Sequence, residues 1–293
     1  LNIGIKRLDE LQISNSVKTR LKSRLINRIG VAFKQERRLK EAADYTISGY
    51  NLAIASNSKV MECLSLIDLG YIYMGVADKN YLVIKYWEKV KNFSENYYDE
   101  LHETDSDTAK ACKHIQGLIF GIKGEYTTAI FLASELLNIA LKEYSAYYEL
   151  QARRAKIFFE YLAGEKNSLL EEQINDFIIV STKYNILKFH VFAYHMLAIY
   201  YEDISKPELA KKCYIKILPK ILDSKLGFNI KSLDIYLLYK DSQRFFIENC
   251  CLQEFPLSAS HIKLLEQIYS DITIYPIKEN CLFSVGGKYL SIP

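Results

Sequence analysis

The chain has 293 residues, 49% hydrophobic and 25% charged, with a formal net charge of +3. That apolar content excludes a disordered chain, and no apolar run approaches the roughly 18–20 residues a membrane span needs. Residue 1 is Leu, with no charged-then-apolar leader after it, which leaves a fragment, a trimmed chain or an unusual start codon as readings.

The first 40 residues carry eleven Lys or Arg against only Asp9, Glu10 and Glu36, so the remainder is net acidic. Such asymmetry reads as a solvated outer helix face or a nucleic-acid-facing end. Few aromatics interleave these charges, so no stacking platform for single strands is evident. Further on, apolar residues recur at helical spacing: Ile26, Ile29 and Phe33, then Leu66, Leu69 and Tyr73, then Leu132, Leu136, Leu137 and Ala140. Turn-like segments fall at 35–38, 77–80, 124–126, 164–168 and 203–207. Gly124 supplies a conformation other residues resist. Ser205 reads as an N-cap, with Pro207 in the first turn and Glu208 three residues on.

Superposed on these stripes is a repeat. Gly30 is followed by Ala42, Gly117 by Ala129 and Ala198 by Ala210, each pair twelve residues apart, with Phe33, Phe120 and Tyr201 three places after the first member. Gly70 and Tyr73 repeat the first half, with Leu82 where Ala is expected. Small residues are needed where the two helices of a hairpin approach closely. The spacings between units, 40 from Gly30 to Gly70 and 47 from Gly70 to Gly117, exceed the tetratricopeptide period of about 34 and imply longer helices on the same plan. HEAT-like pairs are the alternative. The predicted fold is all-α, a right-handed superhelix of tetratricopeptide-like helix pairs over residues 1–274, with an irregular or truncated tail at 275–293. That tail holds Gly286-Gly287 and two prolines, and is not the amphipathic helix a terminal cap repeat needs. All five prolines follow residue 206, leaving the earlier stretch open to uninterrupted helices. The acidic patch Glu95 to Asp107 reads as a solvated inter-repeat loop with a helix end, without the Gly-centred arrangement of a calcium loop.

Chemistry leaves few traces. No nucleophile elbow, phosphate loop, dinucleotide fingerprint or HExxH occurs. His190 and His195 are five apart, on diverging helix faces. The cysteines (63, 112, 213, 250, 251 and 281) show no CxxC pair, and read as buried thiols of a cytoplasmic protein. No enzyme activity, cofactor or metal is expected. What remains is a lining: the first helix of each pair in such an array faces the concave side, where polar side chains select an extended peptide. The fourth pair carries Tyr147, Tyr148, Gln151, Arg154 and Phe158 there, of which Gln151, Arg154 and Phe158 share a face. In the fifth, Lys188, Phe192, His195 and Ile199 do. Arg and Lys there suit a peptide carboxylate or backbone carbonyls. The candidate peptide-binding residues are Gln151, Arg154, Lys188, Phe192 and His195.

Residues 144–222 carry a resemblance. The run Asn167-Ser168-Leu169-Leu170-Glu171-Glu172, then Ser181-Thr182, Asn185 to Phe189, Val191-Phe192 and Tyr194, then Glu208-Leu209-Ala210, resembles the arbitrium peptide receptors. These are phage-encoded sensors governing lysis versus lysogeny, related to the Rap proteins among quorum-sensing regulators with tetratricopeptide-like repeats. The resemblance implies a homodimeric cytoplasmic receptor that encloses a short signalling peptide and changes its DNA-binding state, with Arg154 and Lys188 in basic, peptide-contacting stretches. Such receptors begin with a helix-turn-helix domain, and this chain starts where that domain would end. DNA is therefore expected as a partner only if that module is present elsewhere. A Rap-like regulator acting on a response-regulator partner is the alternative.

Overall fold

In the computed structural model the helical stripes of residues 12–223 become, among the described residues, eleven helices and no strand. Described are residues 12–36, 38–74 and 80–223, with single positions at 7, 8, 10, 238, 241, 242, 244, 245, 248, 249, 259 and 263. The tail at 275–293, Cys250, Cys251, Cys281, His261, Arg37 and most of the turn at 77–80 lie outside them. The helices are α1 (Asn15–Gln35), α2 (Leu39–Ala55), α3 (Lys59–Tyr73), α4 (Asn80–Asn96), α5 (Tyr98–Thr104), α6 (Ser106–Ile122), α7 (Tyr126–Lys142), α8 (Ala146–Leu162), α9 (Ser168–Lys183), α10 (Leu187–Asp203) and α11 (Pro207–Asp223). No helix among the described residues is long and apolar enough to cross a membrane.

The chain divides into two compact units, Leu1–Ile119 and Phe120–Pro293. In the first, α1 packs on α2, α2 on α3 and α3 on α4, and α1 also reaches α3. In the second, α7 to α11 pack in sequence and α8 also reaches α10. Sequential packing with a contact to the next-but-one helix is how stacked helix pairs bury a face that no single pair can bury alone. The first helices of successive pairs therefore adjoin. Helices mostly of 17 residues, joined mostly by three-residue links, account for a period near 40.

The small-residue reading has a steric basis in the first unit. A Cβ on Gly30 would stand 2.3 Å from Thr46 Oγ1 and 3.0 Å from the Ala42 carbonyl oxygen. Phe33 packs on the cluster of Ala42, Ala43 and Ile72 beside it. At Gly70 the partner is not position 82 but Trp87, whose Nε1 would lie 1.9 Å from an added Cβ. Six residues separate α3 from α4, against three between α1 and α2, which moves the close approach along the second helix. In the second unit Ala198 and Ala210 are both fully buried on the packed pair α10 and α11.

One turn recurs in both units. Asn57, Gly124, Tyr144, Gly164, Asn185 and Ser205 all have positive φ, between 51° and 88°. After each, the next amide closes a bond to the carbonyl five residues back, as from Ser58 to Ala53, Ser145 to Ala140 and Lys206 to Tyr201. This is the Schellman pattern, which satisfies carbonyls left over at a helix end. Two expectations are corrected by the helix boundaries. Ser205, in the left-handed region at 58°, closes α10, and α11 starts at Pro207. The acidic stretch is a short helix rather than a loop: α5 turns the fully buried Leu101 inward while Asp99, Glu100 and Glu103 stay exposed.

Candidate functional site

The candidate residues fall on two adjoining first helices of the second unit, α8 and α10. The 3.6-residue period puts Tyr147, Gln151, Arg154 and Phe158 on one stripe of α8, and Lys188, Phe192 and His195 on one stripe of α10. Asn167 fixes where the intervening helix starts, its side chain accepting from the Leu170 amide at 3.0 Å.

Four of the five candidates form two linked groups. Tyr147 Oη accepts from Gln151 Nε2 at 2.9 Å and from Lys188 Nζ at 3.3 Å. The Lys188 ammonium also lies 4.5 Å from the Tyr147 ring centroid and 4.8 Å from that of Phe189. One turn along, the Arg154 guanidinium sits 4.6 Å from the Phe192 ring centroid. The apolar floor continues through Phe177, which meets Phe189 and Phe192 edge-on. His195 is placed differently. It is 1% exposed, with Nε2 3.0 Å from Asp241 Oδ2 and its ring 6.1 Å from that of Tyr214, so its contacts belong to the core beneath α10.

Two kinds of cation therefore stand on α8. Arg153 is bonded to Glu149 at 2.9 Å and Lys156 to Glu160 at 2.9 Å, while Tyr184 donates to the second oxygen of Glu149 at 2.9 Å. Arg154, and Lys188 on α10, rest instead on aromatic rings, and among the described residues neither has a carboxylate partner. Ring faces attract a cation without neutralising it. Tyr147, 43% exposed, spends its oxygen accepting from Gln151 and Lys188 and keeps its hydroxyl proton for an outside acceptor. Chemically the patch is a set of donors over an apolar floor, suited to a ligand bearing carbonyl or carboxylate oxygens.

The sequence places Tyr147 on the lining helix without including it in the shared face, and does not single out Phe189 there. Tyr147 lies one turn before Gln151 on the same stripe, but its hydroxyl gains its role only from Lys188, 41 residues away. Elsewhere, α1 carries exposed Arg20, Arg24 and Arg28 along one stripe, whereas Lys34 and Arg38 are tied to Asp68 and to Glu36 and Glu41. Among the described residues no group of three or more His, Cys, Asp or Glu could hold a metal ion. No protein-family model matches the chain, and no curated protein matches it.

Proposed function

We propose that the chain is a cytoplasmic receptor for a short signalling peptide, bound across α8 and α10 with a carboxylate at Arg154 and Lys188. The observation that carries this reading is the pair of ring-supported cations without carboxylate partners among the described residues, beside a neighbouring pair, Arg153 and Lys156, that is fully ion-paired. A peptide main chain offers acceptors to the Tyr147 hydroxyl, to the remaining Lys188 protons and to the Arg154 guanidinium, and its apolar side chains suit the Phe189 and Phe192 floor. A ligand spanning two stacked pairs favours one spacing between them, so binding shifts the population of that arrangement. Together with the resemblance to arbitrium receptors, this supports a transcriptional regulator whose DNA-bound state answers to the peptide.

The test is isothermal titration of short synthetic peptides encoded beside the gene, each as free acid and as C-terminal amide. At least one free acid is expected to bind, with affinity lowered ~10-fold by amidation and by Lys188→Ala or Arg154→Ala, about 1.4 kcal/mol each. Absence of heat from every peptide at about 100 micromolar protein, a level where weak binding is visible, overturns the reading.

A further inference from the structure

Cys63 on α3 and Cys112 on α6 are 49 residues apart in sequence, in neither a CxxC pattern nor any regular spacing. Within the first unit their sulfurs meet: Sγ to Sγ is 2.8 Å, and both residues are fully buried. Two thiols packed this closely have their side chains already aimed at one another. That directed approach, rather than mere proximity of backbone, is what a cross-link requires. Cys213 in the second unit is a useful contrast, a buried free thiol with no sulfur beside it among the described residues, its pKa pushed up to about 12 by burial.

We propose that Cys63 and Cys112 are a disulfide site, a covalent tie between α3 and α6 that forms when the protein meets hydrogen peroxide. One thiolate attacks the peroxide oxygen, giving a sulfenic acid and expelling hydroxide, which takes up a proton to leave as water. The second thiolate attacks that sulfur and displaces hydroxide, which takes up the proton that thiol released, so two thiols and one hydrogen peroxide become one disulfide and two waters. Both electrons come from the sulfur pair and reduce the O–O bond. The bond to Cys112, with burial, holds the Cys63 thiol protonated. The folded pair is therefore slow toward the oxidant, and the tie forms as α3 and α6 open locally or as the chain folds. Once made, it closes a long loop and stabilises the first unit.

The experiment uses the full chain, treated with hydrogen peroxide both as the folded protein and during refolding from denaturant. Free thiols are then alkylated and the digest is mapped by mass spectrometry. The expected product is the Cys63–Cys112 cross-linked peptide pair, lighter by two hydrogens and reversed by a phosphine reductant. The melting temperature should rise by about 5–10 °C in the wild type and in Cys213→Ser, and not in Cys112→Ser. Recovery of Cys63 and Cys112 as separately alkylated or sulfinic peptides after both treatments overturns the proposal. So does a melting rise that survives in Cys112→Ser.

Discussion

The two units seal their helix seams with the same residue types used in different ways. In the first, tyrosines and lysines meet over ring faces: Tyr73 stacks on Tyr86 at 5.7 Å, and Lys34, Lys59 and Lys89 lie over Tyr71, Tyr97 and Tyr50. Glycines take the bulk of neighbouring helices, Gly30 against Thr46, Gly49 against Asn27 and Gly70 against Trp87. Close approach recurs in the second unit, where Gly121 faces Phe159. What the second unit adds is a series of tyrosine tips reaching carboxylates: Tyr161 to Asp203 at 2.6 Å, Tyr201 to Glu171 at 2.7 Å, Tyr214 to Glu202 at 2.5 Å and Tyr184 to Glu149 at 2.9 Å. Each of these bonds gives a buried or half-buried phenol a charged acceptor across a helix seam. Steric fit needs only shape, whereas each tyrosine bond also needs one particular acceptor in place.

The largest effect should come from the steric seam. Gly70→Ala drives a Cβ into the fully buried Trp87 ring, with three ring atoms within 2.6 Å. Overpacking against a ring that cannot retreat costs about 3 kcal/mol, well above the helix propensity that alanine gains. Urea unfolding should show that loss, and Trp87→Leu should cost less in the Gly70→Ala background than alone, because the two changes share one space. Additive losses would mean that Gly70 is not where the ring is seated.

Much of this architecture was readable from residue spacing, because it follows from what fits between two helices. Gly30 needs Ala42 and Thr46 near it whatever lies elsewhere in the chain. The register at Gly70 was not readable, since it depends on link length. Three of the six left-handed turn positions were hidden because Asn57, Tyr144 and Asn185 stand where glycine would have announced the turn, and Ser205, inside an expected turn, reads as an N-cap for want of that glycine. At the candidate site, each helix face could be read by counting turns. Which residue meets which across the faces could not, because Lys188 on Tyr147 and Arg154 on Phe192 are products of packing. His195 shows the same limit: its stripe position is right, yet its ring is claimed by Asp241 and Tyr214.

A middle-sized effect should come from the polar seam. Tyr201→Phe removes the bond joining α10 to Glu171 on α9, at a cost of about 1–2 kcal/mol. Burial, with the bond to Glu171 behind it, raises the Tyr201 phenol above its ordinary value of 10.0. A folded-state pKa above the unfolded one gives stability that is complete below pH ~10 and is lost as pH climbs beyond it, since the unfolded chain ionises first. Wild-type urea midpoints should therefore fall above that pH, and fall less steeply in Tyr201→Phe. Equal slopes would place the alkaline weakness in other tyrosines.

The smallest effect compares one turn in the two units. Asn57 and Tyr144 occupy the same position in the same three-residue link, at φ 51° and 54°. Asparagine tolerates that region because its short side chain bonds locally, whereas a tyrosine pays about 1 kcal/mol for it. Tyr144 is 95% exposed, so its removal gives up almost no burial. Tyr144→Gly should then stabilise the protein by about 0.5–1 kcal/mol, after allowing for the entropy that glycine adds to the unfolded chain. Asn57→Gly should gain no more than a few tenths by the same reasoning, and Tyr144→Ala should gain nothing, because alanine keeps the Cβ. A stabilised Tyr144→Ala would show that the tyrosine ring rather than the backbone is the burden, and the two turns would no longer be equivalent.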